Sequence, residues 1–197
     1  MTDDLQSDKR LIAVAVRRLV MFALLLAFSW LAMMAVHELG HVLHAWASGG
    51  TVTGVVLHPL AISRTDVSPN PHPRFVAWGG AIWGSLLPVG LWLVMRAAAP
   101  RYAHVARFFA GFCLLANGLY LAGGSIEGVG DAGDLVRHGA ARWQLWLFGV
   151  PASALGLWLW HGLSRRFTAD VRVERQIAIA LALSIAAMAA LGILLAP

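Results

Sequence analysis

The sequence predicts an all-α polytopic membrane protein, with about five transmembrane helices and a small β-hairpin after the first. Three observations carry that reading. Of the 197 residues, 59% are hydrophobic and only 13% charged, too little polar surface for a water-soluble domain of this length to cover its core. Stretches with few or no charges recur at 19–47, 75–95, 108–122, 143–163 and 176–196, and most reach the roughly 20 residues that cross a hydrocarbon core as helix. Between the first two stretches, two β-branched runs, 51–57 and 61–67, flank His58-Pro59, the pattern of a short hairpin.

Taken in order, residues 1–10 are polar and expected to fray. The first apolar run follows Lys9, Arg10, Arg17 and Arg18, but it is too long for the core of a signal peptide and is read as a membrane span. Gly49 and Gly50 end that helix. After the hairpin, Pro69, Pro71 and Pro73 close the segment, and the second span opens with "WGGAIWGSLLP", where Gly79, Gly80, Gly84 and Ser85 permit close backbone approach between membrane helices. The third span reaches full length only if Arg107 snorkels to the interface. A glycine- and acid-rich segment, "LAGGSIEGVGDAGDLVRHG", separates it from the fourth, with a short helix expected over 132–139. The fourth contains Pro151, which a membrane helix tolerates when neighbours re-satisfy the freed carbonyl, and the fifth is plainly aliphatic. No linker or low-complexity stretch divides the chain, so residues 1–197 form a single membrane-embedded domain.

Charge reports topology here. With the N-terminus inside, only Arg64, Arg74, Arg137 and Arg142 of the 15 basic residues fall outside, so the positive-inside rule favours N-in and C-out. The arginines stand singly or in pairs at helix ends, without the basic face of a nucleic-acid module. The single cysteine, Cys113, excludes an intrachain disulfide and any multi-cysteine metal site. A transporter would need polar residues along several spans, and the second, fourth and fifth hold almost none in their interiors.

The first span ends in "AVHELGHVLHAW", residues 35–46, which places a glutamate and three histidines where ionisable groups are costly. His37 and His41 are four apart, about 40° around a helix and one turn above each other, so both imidazoles can reach one ion. Glu38 lies at about 100° to them, poorly placed as a ligand but able to hold a water at the metal's open position. This is the HExxH arrangement of metal-activated hydrolysis, with the carboxylate as general base. The bland reading makes the three residues polar groups at the end of a helix in the water interface.

Catalytic zinc usually takes a third ligand from a separate element. His44 shares the face of His41 but sits one turn too far along. The other candidates are Asp131, Asp134, Glu127, His58, His72, His104 and His138; His104, like His161, is expected at the opposite, cytoplasmic side. Asp131 is preferred because the glycines around it let a carboxylate approach a metal buried among helices. Asp134, three residues on, is the runner-up, and either aspartate would also serve as an N-terminal helix cap.

These features together resemble the site-2 protease family of intramembrane zinc metalloproteases. The likeness covers HELGH at 37–41 late in a hydrophobic helix, the β-rich edge at 51–67, the glycine-centred second span at 79–88 and the segment from Asn117 to Asp131, where "GDAGDL" resembles the aspartate motif of short members without a regulatory domain. It implies that His37, His41 and Asp131 bind zinc, that Glu38 is the base and that Asn117 helps hold an unwound substrate strand. It departs from the family at Gly79-Gly80-Ala81-Ile82-Trp83, where many members have Gly-Pro-x-x-Asn, and at Asp131-Ala132, where many have Asp-Gly. The N-in topology also sets HELGH toward the extracytoplasmic face, whereas the family usually cuts nearer the cytoplasm. The expected function is zinc-dependent hydrolysis of peptide bonds in or near transmembrane segments of membrane protein substrates, in a multi-pass protein of a bacterial-type plasma membrane. An extended substrate segment would pair with the hairpin edge by strand addition. The rival expectation is a non-catalytic metal-binding scaffold for another membrane protein.

Overall fold

A computed structural model describes residues 2–163, 167 and 171–194. Its elements are α1 (Thr2–Ala47), β1 (Val52–Val56), β2 (Arg64–Val67), α2 (Pro73–Ala98), α3 (Ala103–Glu127), α4 (Gly130–Arg137), α5 (Arg142–Trp160) and α6 (Val171–Leu194). The fold class is the one the sequence predicts: an all-α membrane protein with one small antiparallel hairpin.

Helix α1 runs for 46 residues, about 69 Å at 1.5 Å per residue. The polar residues 2–10, expected to fray, continue it as helix. It ends where predicted: Gly49 takes φ 77°, open to a residue without Cβ, and the Gly50 N–H returns to the Ala45 carbonyl. The chain then pairs β1 with β2, Val55 opposite Thr65 and Val56 opposite Arg64, before Pro73 opens α2 in the first turn, where its missing N–H costs nothing.

Among the described residues, four helices are long and apolar enough to cross a membrane: Leu11–Ala47 within α1, α2, α3 and Arg172–Leu194 within α6. The predicted fourth span is the exception. Helix α5 forms there, but it is 19 residues long and is not one of these four. The third predicted span is longer than 108–122, since α3 extends over 25 residues. Arg165 and Arg166, and the last two positions of the predicted fifth span, 195 and 196, lie outside the described residues.

Helices α3 and α5 approach closely through small residues, Gly118 facing Gly149, as membrane helices without a hydrophobic drive between them require. α6 lies against α1 through Met21, Leu25, Val173, Ile177 and Leu181. The short α4 folds back on α2 and α3, with Ala132 and Leu135 buried against Ala77, Ala81 and Leu121. Large apolar side chains such as Leu19, Leu93, Leu147 and Leu183 are exposed on the outside, a surface that lipid rather than water suits.

Candidate metal centre

The C-terminal part of α1, from Trp30 onward, meets the first turns of α2, the second half of α3, the start of α4 and the hairpin around a cavity of about 940 Å³. The α1–α2 contact sets its floor. Gly40 and Gly79 touch backbone to backbone, and a Cβ built on Gly80 would fall on the Nε2 atoms of His37 and His41. The glycine pair singled out in the second span is therefore where α2 passes directly behind the imidazoles.

His37, Glu38 and His41 are all buried, and their side-chain ligand atoms lie within 4.8 Å of one another, close enough to hold a metal ion. His37 Nε2 stands 3.1 Å from His41 Nε2. Asp131 Oδ2, carried in by α4, is 2.8 Å from the first and 3.2 Å from the second.

The other ring nitrogens decide what those three atoms are. His41 Nδ1 lies 2.8 Å from the Val76 carbonyl, an acceptor only, so this nitrogen donates. His37 Nδ1 lies 2.7 Å from Asn117 Oδ1, and Asn117 Nδ2 donates to the Cys113 carbonyl, which turns the amide oxygen toward the histidine. With both Nδ1 atoms protonated, neutral imidazoles present bare lone pairs at Nε2. Two such lone pairs and a carboxylate oxygen converging within 3.2 Å repel unless a cation lies among them. Around zinc, with ligand bonds of about 2.0–2.2 Å, tetrahedral donors stand about 3.3 Å apart, so the donor set fits that ion with little movement. Protons on the imidazoles fill the same gap. Burial pushes the Asp131 carboxyl up, but with both imidazoles protonated in this way their Nε2–H groups donate to it, outweigh the burial and hold it well below the usual carboxylate range.

Asp131 does not cap α4. Val129 occupies that position, and Asp131 sits in the first turn with its side chain on the histidines. Its backbone N–H donates to the Tyr120 hydroxyl at 3.2 Å, which ties the start of α4 to α3. The alternatives have other partners or positions, although Asp134 and His138 also line the cavity. Asp134 pairs with Arg137 at 2.6 Å, and His44 bonds the Phe75 carbonyl at 2.7 Å and stacks on the Phe75 ring. His138 bonds the Asp134 carbonyl, His58 accepts from the Leu60 N–H, His72 stands at the N-terminus of α2, and Glu127 is exposed at the end of α3. His104 lines a second cavity with Arg96, Arg101 and Glu174 at the far end of the helices.

Glu38 meets the hairpin: its Oε2 accepts a hydrogen bond from the Thr65 hydroxyl at 2.6 Å. Thr65, Val76 and Tyr120 were not found by sequence reasoning, because a threonine in a strand, a backbone carbonyl and a tyrosine in a span carry no pattern of their own. Asn117 entered only through the resemblance, as a substrate contact; here its amide oxygen and nitrogen are engaged on His37 and Cys113.

The fold and site define a class: an α-helical membrane protein whose first long helix brings two buried histidines and a buried glutamate to a cavity edged by a hairpin. The chain matches no family model, no curated protein and no solved structure.

Proposed function

We propose that this protein is a zinc-dependent intramembrane endopeptidase of the site-2 protease kind, hydrolysing peptide bonds in or near transmembrane segments of membrane protein substrates. One observation supports it above the others: the Nε2 atoms of His37 and His41 and the Asp131 carboxylate converge within 3.2 Å, with a buried glutamate beside them. A zinc ion held by His37, His41 and Asp131 would bring the pKa of a water toward neutrality and polarise the scissile carbonyl. Glu38, with Oε2 engaged by Thr65, accepts a proton from the attacking water and delivers it to the leaving amine as the C–N bond breaks. Asn117 and the Val76 carbonyl keep both imidazoles in the tautomer that leaves Nε2 free to ligate.

The cavity suits such a substrate. Trp30, Met33 and Met34 form an apolar part of its wall, and Arg64, Asp66 and Asp134 a charged one, as befits a chain passing from lipid to water. A substrate helix has to unwind before its carbonyls are available. β2 borders the cavity and pairs only with β1 among the described residues, so its other edge is the place for an extended segment to add as a strand.

The test compares wild type with Glu38→Gln, purified in detergent, by zinc content and by cleavage of a labelled, unstructured casein. About one zinc per chain is expected in both, with turnover in the variant lower by roughly 10²–10⁴-fold. A zinc-free wild type sinks the reading. A Gln variant that cleaves as fast as wild type removes the hydrolase role and leaves a metal-binding membrane scaffold.

A further inference from the structure

The hairpin does more than border the cavity. Thr65, in the middle of β2 opposite Val55, reaches α1 with its hydroxyl, 2.6 Å from Glu38 Oε2 and 3.4 Å from the Glu38 carbonyl. Glu38 itself is 2% exposed. A glutamate side chain turns about three bonds, and a carboxylate left to swing would spend little time at the angle that proton transfer needs. A hydroxyl donating to one oxygen fixes the carboxylate plane and leaves the second oxygen to meet the water.

We infer that Thr65 is a positioning residue for Glu38: through its hydroxyl, the strand that borders the cavity also sets the orientation of the general base. The inference rests on the hydrolase reading above. Its competitor is a purely structural role, in which the hydroxyl only pins the hairpin to α1.

The experiment uses the full zinc-loaded chain in detergent as wild type, Thr65→Val, Thr65→Ser, Glu38→Gln and the Glu38→Gln/Thr65→Val double variant. Two quantities are read: casein turnover, and the calorimetric affinity of a peptidyl hydroxamate, a metal-binding probe that hydrogen-bonds to the carboxylate beside the metal. Val keeps the β-branch and removes the hydroxyl. It should retain zinc and KM while kcat falls about tenfold and hydroxamate binding weakens about tenfold, the scale of one hydrogen bond to a charged group. Ser should restore most of both. In the Glu38→Gln background, Val should change hydroxamate affinity by less than about twofold, because the coupled partner is already altered. The inference is overturned if Val behaves as wild type, if Ser is as poor as Val, or if Val costs as much in the Gln background as in wild type. Should Val fail to fold, Thr65→Ala takes its place in the same comparisons. A wild type that neither holds zinc nor cleaves casein instead overturns the hydrolase reading and takes the role of Thr65 with it.

Discussion

Asn117 Oδ1 accepts a hydrogen bond from His37 Nδ1 over 2.7 Å, while its amide nitrogen donates to the Cys113 carbonyl one turn back on α3 at 2.8 Å. The second bond orients the first, because it allows only the oxygen end of the amide to face the histidine. Gly84 of α2 makes the room: a Cβ there would stand 2.9 Å from Asn117 Nδ2. Asn117→Leu removes the acceptor at similar volume and frees the His37 ring to change tautomer. Metal affinity should fall about 10–100-fold, measured by competition with a chelating dye, with helix content unchanged by circular dichroism.

The ligand set makes a sharper prediction. Asp131→Ala removes the carboxylate that lies 2.8 Å and 3.2 Å from the two Nε2 atoms, and zinc per chain under mild chelation should drop from about one to near zero. Asp134→Ala and His44→Ala should both keep it, since one side chain is paired with Arg137 and the other is bound to Phe75. Zinc lost from either of these, and retained in the Asp131 variant, would reassign the third ligand.

Gly80 offers a test of the floor of the cavity. A methyl group there would collide with both Nε2 atoms, and making room for it means pulling apart the close Gly40–Gly79 backbone contact. Gly80→Ala should therefore abolish zinc binding and lower stability by roughly 1–3 kcal/mol, the usual cost of overpacking. Gly90, on the same helix, has nothing within 4 Å of a built Cβ. Gly90→Ala should be neutral or stabilising by up to about 1 kcal/mol, through helix propensity. Thermal unfolding of the two variants in one detergent separates the local collision from a general intolerance of α2 to alanine.

Much of this was legible in the sequence, and the residues show why. Apolar runs of about 20 residues announce membrane helices whatever their partners, and a four-residue histidine spacing fixes a shared face on any helix. Asp131 was legible because glycines flank a carboxylate between two spans. Helix α5 shows the limit of reading length alone, since its 19 residues form a helix that is not among the four long and apolar enough to cross a membrane. Thr65 shows another: its importance comes from a contact 27 positions away, between a strand and a helix whose packing angle no local pattern encodes. The same holds for the Val76 carbonyl, which any residue could supply.

The α1–α6 contact carries a prediction independent of the metal. Arg17 Nε lies 2.8 Å from Glu174 Oε2, with the glutamate side chain 8% and the arginine 37% exposed. The contact is a charge pair between α1 and α6. Beside it, α6 packs on α1 through aliphatic side chains such as Val173, Ile177 and Leu181, which slide easily past one another. Removing one partner leaves the other charge poorly solvated, which costs more than an exposed pair is worth, although the open side of Arg17 limits the penalty. Glu174→Ala should therefore lower stability by about 1–2 kcal/mol, and the charge-swapped pair Arg17→Glu/Glu174→Arg should recover at least half of that loss. Because this contact lies at the opposite end of the helices from His37 and His41, zinc content should remain at wild-type level in both variants. Equal unfolding temperatures for Glu174→Ala and wild type would assign the α1–α6 interface to its aliphatic contacts alone.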